Sequence, residues 1–377
     1  MKRTLLPKFI ALAAGLSIFS ISAAESRLQF LNEYQLPTST IFQDVQFGGL
    51  SGIVRDTQND LYYAITDARN TKAEGQSRFY TLNISTSNKG IEKVDIVKMT
   101  EFVDESGISF KEQEVDGEGI ALAPDGKSLL WVSELGSPLR KSGFDGKTIT
   151  DFARKIPIYY NAGGDLKKSS HGLRSGLSFE GISVTPSGKY LYVAAESALK
   201  QDGEISSTTR STPVRILKYN LNKNGDVGQL IGEFVYNVDP IPKVSRFGVS
   251  DNGLSEVLAV SDDKLLIIER AGRNASEGFN DFDFTIKSYI ADLSLATNIV
   301  GVDSLESIDN KKTFQPITKR LLIDFDDYTT APDCIEGVTF GPLVDGKKSL
   351  IFVSDNNFQP YQTNKFFMFV DDKDVLK

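Results

Sequence analysis

The sequence predicts an all-β protein, a β-propeller of five four-stranded blades. Three observations lead to this fold class: a repeated two-strand phrase, short apolar runs rich in β-branched and aromatic residues, and no helical periodicity beyond the N-terminus. Five copies of the phrase start roughly 60 to 80 residues apart, and a period of that order is typical of repeat architectures.

The clearest copy of the phrase is Asp116 to Glu134, DGEGIALAPDGKSLLWVSE. It reads as an apolar strand, a Pro-Asp-Gly-Lys turn and a second apolar strand, with acidic residues at both ends. The phrase returns at Phe179 to Glu196 with the same spacing between its glutamates, and at Ile335 to Asp355 with a longer turn. Weaker copies are Gly49 to Asp67 and Leu254 to Glu269.

The N-terminus has the pattern of a secretory signal peptide. Basic residues precede an apolar stretch from Phe9 to Ile21, and small residues at 22–24 follow it. We therefore predict cleavage after Ala24, a single propeller domain over residues 25–377, and a periplasmic or secreted protein. An uncleaved anchor is the alternative, but about 13 apolar residues are few for a membrane span.

Closure of the ring follows from counting strands. After the fifth copy, only one further apolar run, Phe366 to Asp371, remains, whereas a spare strand at Arg27 to Leu36 precedes the first copy. The N-terminal strand is therefore expected to complete the last blade and protect its edge. Six blades is the alternative, with a degenerate blade inside Gly272 to Phe325 or in the insertion from Lys155 to Ser178.

Composition excludes several function classes. The net charge of −8 argues against a nucleic-acid partner, which needs a basic face. The single cysteine, Cys334, cannot form an intramolecular disulfide and is expected to be a buried thiol. The single histidine, His171, excludes a multi-histidine metal centre and is expected to be an exposed loop residue or a substrate contact. No G-x-S-x-G elbow is present.

Acidic residues occupy the same position in the first strand of four repeats: Glu118, Glu180, Glu256 and Glu336. The first strand of a blade lies nearest the axis, so these carboxylates should converge. Crowded like charges raise one another's pKa unless a cation lies among them, and oxygen ligands favour Ca²⁺ or Mg²⁺. We predict a Ca²⁺ site at these residues, with Glu118 and Glu180 as candidate catalytic groups. A structural ring of backbone hydrogen bonds is the alternative.

A second acidic set ends the second strands: Asp67, Glu134, Glu196, Glu269 and Asp355. Because the second strand runs antiparallel to the first, both sets should share one face, and Glu134 and Glu196 become candidates to activate water. Four arginines follow in sequence near these acids and are, with His171, candidates for binding an anionic substrate: Arg69, Arg140, Arg215 and Arg270. Ion pairing with the acids is the simpler interpretation of the arginines.

Several motifs together resemble those of the phytase-like family, described as "esterase-like activity of phytase". They are GGLSGI with YAITDARN, the DGEGIALAPDGK phrase, FEGISVTPSGKYLYVAAE, and FGVSDNGLSEVLAVSDDKLLIIERAGR. The resemblance extends from about Phe47 to Asp355 and implies an exported bacterial propeller that hydrolyses esters, with phosphate esters as one candidate class.

The resulting hypothesis is an exported, monomeric hydrolase whose small-molecule ester binds at the mouth of the channel beside a divalent metal. No nucleic acid and no membrane span after cleavage are expected. A non-enzymatic propeller, with a structural metal and a ligand or protein bound to the rim loops 155–178 and 201–211, is the alternative. A stand-alone phytase with several Ca²⁺ ions is a third hypothesis.

Overall fold

The computed structural model describes residues 28–162, 164–277, 281–308, 314–329 and 331–376. The predicted signal peptide and its cleavage site after Ala24 lie outside these residues. Within the described ranges the chain forms strands and short 3₁₀ turns, with no α-helix. Accordingly, none of the described segments provides a helix long and apolar enough to cross a membrane.

The chain begins with one long strand and a small hairpin before the repeats start: β1 (Gln29–Leu36), β2 (Ile41–Phe42) and β3 (Val45–Gln46). Blade one contains β4 (Leu50–Asp56), β5 (Leu61–Thr66), β6 (Arg78–Ser87) and β7 (Gly90–Glu101). Blade two contains β8 (Gly117–Leu122), β9 (Ser128–Ser133), β10 (Leu139–Gly143) and β11 (Thr148–Asp151).

Blade three contains β12 (Phe179–Val184), β13 (Tyr190–Ala195), β14 (Thr212–Leu221) and β15 (Val227–Val238). Blade four contains β16 (Gly253–Ala259), β17 (Lys264–Asn274), β18 (Phe282–Asp292) and β19 (Thr318–Asp324). Blade five contains β20 (Cys334–Phe340), β21 (Ser349–Asp355) and β22 (Asn364–Val370).

The N-terminal strand closes the ring, as predicted. The sheet order of blade five is β1-β22-β21-β20, whereas the other four blades use consecutive strands. The β1 strand pairs antiparallel with β22, from Gln29 opposite Val370 to Leu36 opposite Asn364. The five-bladed all-β propeller is therefore confirmed, and the outer edge of blade five is supplied by the start of the chain.

Each blade packs on the next through apolar and aromatic side chains. Between blades one and two, Phe102 stacks on the fully buried Trp131 with ring centroids 4.4 Å apart. The indole N–H of Trp131 donates to Ser142 Oγ at 2.9 Å, so the single polar atom of the ring is satisfied within the core. These contacts hold blade one against blade two.

Around the axis, the inner strands approach one another closely at glycines near the strand starts. The strands β4, β8, β12, β16 and β20 form a continuous ring in which each contacts the inner strand on both sides. A Cβ on Gly119 would lie 2.5 Å from the carbonyl oxygen of Glu180, and one on Gly52 would lie 2.7 Å from that of Glu118. A Cβ on Gly181 would lie 2.8 Å from the amide nitrogen of Val257. The recurrent Glu-Gly pair is thus a packing requirement as well as a source of carboxylates.

We expect Gly119→Ala to lower the free energy of unfolding by about 2 kcal/mol or more, because the added Cβ meets immovable backbone. Gly143→Ala is the matched control, since the close contact of its Cβ is with the end of the Asp145 side chain and not with backbone. Chemical denaturation monitored by tryptophan fluorescence would measure both variants. Equal losses in the two variants would contradict the close-approach argument.

Candidate metal centre

Each inner strand carries a β-bulge at its start. The register against the second strand is interrupted between Leu50 and Gly52 in blade one, and at equivalent points in the other four blades. A bulge re-aims the extra side chain and is frequent beside functional sites. The residues placed at these five bulges are Ser51, Glu118, Glu180, Ser255 and Glu336.

Blade four departs from the alignment made on sequence. Its register passes from Leu254 opposite Glu269 to Glu256 opposite Ile268, so Ser255 occupies the bulge and Glu256 takes the place of the glycine. A one-residue slip turns a strand side chain to the other face. The Glu256 carboxylate accepts hydrogen bonds from the amides of Ile182 at 3.1 Å and Val257 at 2.8 Å. The structure therefore does not bring Glu256 to the other three glutamates, and its contacts are those of the structural alternative.

The same one-residue shift in blade four places a basic residue, instead of an acidic one, at the end of the second strand. In every blade the second strand has one residue paired just before the bulge, opposite Leu50, Gly117, Phe179, Leu254 or Ile335. The residues that follow it in sequence are Asp67, Glu134, Glu196, Arg270 and Asp355. Glu269 lies one position earlier, where it accepts hydrogen bonds from the Tyr236 hydroxyl at 2.7 Å and the Asp239 amide at 3.0 Å. Blade four thus contributes a guanidinium where the other blades contribute carboxylates.

Two groups of carboxylates share one glutamate at this end of the channel. Asp116, Glu118 and Glu134 each place one oxygen within 4.8 Å of the others, and so do Glu134, Glu180 and Glu196. Four of these five side chains are buried, and Glu134 is half-buried. Clustered carboxylate oxygens without histidine or thiolate suit a hard divalent cation such as Ca²⁺. We call these five residues the acidic cluster.

Asp116 is the one member of the acidic cluster that was not predicted from the sequence as a site residue. It is only 6% exposed, and its Oδ1 is buried without a hydrogen-bond partner. A buried carboxylate oxygen with no partner is costly unless a cation compensates for it. The signal was available in the motif DGEG, because Asp116 stands two residues before Glu118, and alternate residues of a strand share a face.

Burial and mutual repulsion raise the pKa values of the acids at this end. Burial, reinforced by the charge of Asp67, raises the pKa of Asp116 to about 8. Burial also raises the pKa of Glu196 to about 8, although the nearby Arg270 opposes the shift. The pKa values of Glu118 and Glu180 are raised well above their usual range, again by burial first and by neighbouring carboxylates second. A bound cation would relieve this repulsion.

Arg270 lies directly beside the acidic cluster. Its Nη2 is 2.9 Å from Glu196 Oε1, and its Nε is 3.3 Å from Glu336 Oε1, so it links blade three to blade five. It also lines a small cavity of about 190 Å³ with Cys334, Asn357 and other polar residues. The Cys334 thiol donates to Glu336 Oε1 at 3.3 Å, and burial raises its pKa well above the usual range. Cys334 is therefore a buried, protonated thiol.

The other candidate substrate-binding residues divide into two kinds. Arg69 is near the acids, is 42% exposed in its side chain and pairs with Glu74 at 2.6 Å, and its charge opposes the raised pKa of Asp116. The other three residues contact side chains outside the acidic cluster. Arg140 covers the Trp131 ring at 4.9 Å, buried Arg215 pairs with Asp202 and Glu233, and half-exposed His171 lies 3.6 Å from Asp303.

We expect the chelated protein to lose thermal stability as pH rises from about 5 to 8. The folded pKa values of Asp67, Asp116 and Glu196 are raised to about 7, 8 and 8. The folded state therefore holds more protons than the unfolded state in this window, and stability falls with rising pH. Melting temperatures in chelator across this range would measure the slope.

In that series, Asp116→Asn should reduce the dependence of melting temperature on pH, because it removes one of the carboxyls with a raised pKa. Asp226→Asn should leave it unchanged, since pairing with Lys141 lowers the pKa of Asp226 and moves its titration below the window. A melting temperature that rises with pH in the chelated wild type would contradict the assignment.

Solved structures that align with this chain have low sequence identity to it. A protein from Lactobacillus plantarum matches 81% of this chain and 64% of its own at 10% identity and a TM-score of 0.34. The tail fiber of Staphylococcus aureus phage P68 matches 91% and 54% at 12% identity and a TM-score of 0.43. The periplasmic gluconolactonase PpgL of Pseudomonas aeruginosa matches 87% and 86% at 10% identity and a TM-score of 0.37.

The chain thus spans less than two thirds of the length of the first two of these proteins. No curated protein matches the chain. The family comparison is specific: the phytase-like family, described as esterase-like activity of phytase, matches residues 45–358. That range begins in the hairpin before blade one and ends beyond the second strand of blade five, so it includes the acidic cluster. The chain belongs to the phytase-like family.

Proposed function

We propose that the protein is an exported hydrolase that acts on small-molecule esters, with phosphate esters as the first class to test, at the acidic end of the channel. The observation that carries the proposal is that two clusters, each of three acidic side chains, have Glu134 in common. Membership of a family described by esterase-like activity supports the reaction class. Export rests on the N-terminal sequence pattern, which predicts cleavage after Ala24.

The acidic cluster is the proposed site for Ca²⁺. Its donors are all carboxylates, and the unpartnered Oδ1 of Asp116 is an oxygen available for a cation. Glu134 belongs to both groups, so it is the ligand whose loss should affect the site most. A bound Ca²⁺ would supply Lewis-acid polarisation of an ester or phosphoryl oxygen.

The proton-transfer role is best suited to Glu196 among the acids. Without a cation, burial raises the pKa values of both Glu196 and Asp116 to about 8, near the range in which a general base works best, and Glu196 is the one of the two that pairs with an arginine. Arg270 fixes one oxygen of this carboxylate at 2.9 Å and thereby orients it. The proposed step is removal of a proton from the attacking water by Glu196, which later returns it to the leaving group.

An anionic substrate group has two nearby cations. Arg270 already pairs with two buried carboxylates, so a substrate anion must compete with both. Arg69 has a 42% exposed side chain and pairs with one carboxylate, that of Glu74. We therefore propose Arg69 as the outer contact for the anion and Arg270 as the residue that positions the acids.

The first test is hydrolysis of p-nitrophenyl acetate and p-nitrophenyl phosphate after chelation and again with Ca²⁺ restored. We expect turnover that requires Ca²⁺, and the preferred chromogen identifies the ester class. If neither chromogen is hydrolysed but Ca²⁺ still raises the melting temperature, the enzyme hypothesis is wrong. The non-enzymatic binding propeller with a structural metal then becomes the better hypothesis.

Glu134→Gln should reduce Ca²⁺-dependent turnover by on the order of 100-fold and weaken Ca²⁺ binding, because Glu134 belongs to both clusters of carboxylates. Glu256→Gln is the matched control, since its amide oxygen can still accept from the amides of Ile182 and Val257. Calorimetric Ca²⁺ titration and initial rates on the same samples separate metal loss from catalytic loss. Equal effects of the two substitutions would refute the assignment of the cluster.

A further inference from the structure

A second cavity occupies the other end of the channel. Its volume is about 530 Å³, and the inner strands of all five blades line it with Ile53, Ala121, Val184, Leu258 and Phe340. These residues belong to the second halves of the inner strands, whereas the acidic cluster lies at the strand starts and beyond the second-strand ends. The two sites are therefore at opposite ends of one axis.

The close contacts between inner strands at Gly52, Gly119 and Gly181 lie between the two ends. No member of the acidic cluster lines the second cavity, and Glu256 is the only acidic residue in its lining. The Glu256 carboxyl is 2% exposed and already accepts two backbone hydrogen bonds, and burial raises its pKa well above the usual range. The Glu256 carboxyl should therefore repel an anion in the cavity only weakly.

The mouth of the cavity is exposed and carries basic side chains. The turn residues Thr57, Pro186 and Leu343 are exposed there, so the cavity opens toward the first hairpin turns of the blades. Arg55 and Lys348 are the two basic residues of the lining. Within the lining these two cations accompany a single buried acid, and the exposed Asp60 that pairs with Arg55 lies outside the lining.

Both cations have present partners that a ligand could replace. Arg55, whose side chain is 15% exposed, pairs with Asp60 at 2.7 Å, and because the Asp60 side chain is 77% exposed, water competes for this carboxylate. Lys348 Nζ donates to the carbonyl oxygen of Leu376 at 2.7 Å and lies 5.7 Å from the centre of the Phe340 ring. An anionic group at the mouth would meet both charges while its apolar part contacts Phe340.

We infer that this cavity binds a monocarboxylate with an apolar tail. Its volume lies in the range of small-molecule sites, and apolar walls with a few polar groups at one end are typical of such sites. The apolar tail is driven inside by removal of its surface from water, and the carboxylate stays at the mouth beside Arg55 and Lys348. The site is distinct from the proposed hydrolytic centre and needs no metal.

Calorimetric titration of the protein with decanoate tests this inference. We expect one site with a dissociation constant on the order of 0.1 mM, the affinity expected for a ligand of this size. The affinity should be the same in chelator and in Ca²⁺, and decan-1-ol should bind about tenfold more weakly because it lacks the charge. Decanoate affinity that depends on Ca²⁺ would assign binding to the acidic cluster and overturn the inference.

Three variants locate the site. Leu258→Trp should abolish binding by filling the cavity, and Arg55→Gln should weaken decanoate about tenfold while leaving decan-1-ol unchanged. Arg154→Gln, an exposed arginine outside the lining, is the matched control and should have no effect. Ca²⁺-dependent hydrolysis should remain in all three variants, so failure of this site and failure of the proposed enzyme are distinguishable. Wild-type decanoate affinity in both cavity variants would refute the location, and no heat with wild type would refute the site.

Discussion

The close approach of five inner strands around the axis is the constraint on which the rest of the structure depends. At three of the strand contacts, backbone of the next blade lies where a Cβ would stand, so Gly52, Gly119 and Gly181 are required. The ring brings the bulges at the strand starts together in one small volume. Without this closeness, the carboxylates of separate blades would be solvated surface groups with ordinary pKa values.

The crowded carboxylates repel one another, and the compensating positive charge differs from one side of the ring to the other. Between blades three and five the counter-charge is internal, because Arg270 pairs with Glu196 and Glu336. Between blades two and three no comparable arginine pairs with Asp116 or Glu118 among the described residues, and Asp116 Oδ1 is without a partner. The cation-binding capacity is therefore expected on the side of blades two and three.

The channel also separates two kinds of chemistry along one axis. One end presents buried carboxylates, and the other presents apolar strand faces with two basic side chains at the mouth. The first halves of the inner strands and the second halves thus carry different properties within one repeat. A propeller suits this arrangement because every blade supplies a residue to each level of the channel.

The sequence by itself determined the fold class, the five blades, the closure by the N-terminal strand, and most of the acidic cluster. It could do so because a strand–turn–strand phrase with acids in register is a local pattern, and local patterns do not need distant contacts to be recognised. Glu118, Glu134, Glu180 and Glu196 were predicted in this way and lie together in the structure.

Only the tertiary structure decided which residues of blade four face the site. The alignment of Glu256 and Glu269 with the other acids needs a one-residue choice that sequence similarity does not resolve, and strand pairing chose Ser255 and Arg270 instead. Strand side chains alternate in direction, so that one residue exchanges a carboxylate for a guanidinium at the centre. The partners of Arg140 and Arg215 were likewise undecided by sequence, because their contacts come from residues brought near by folding.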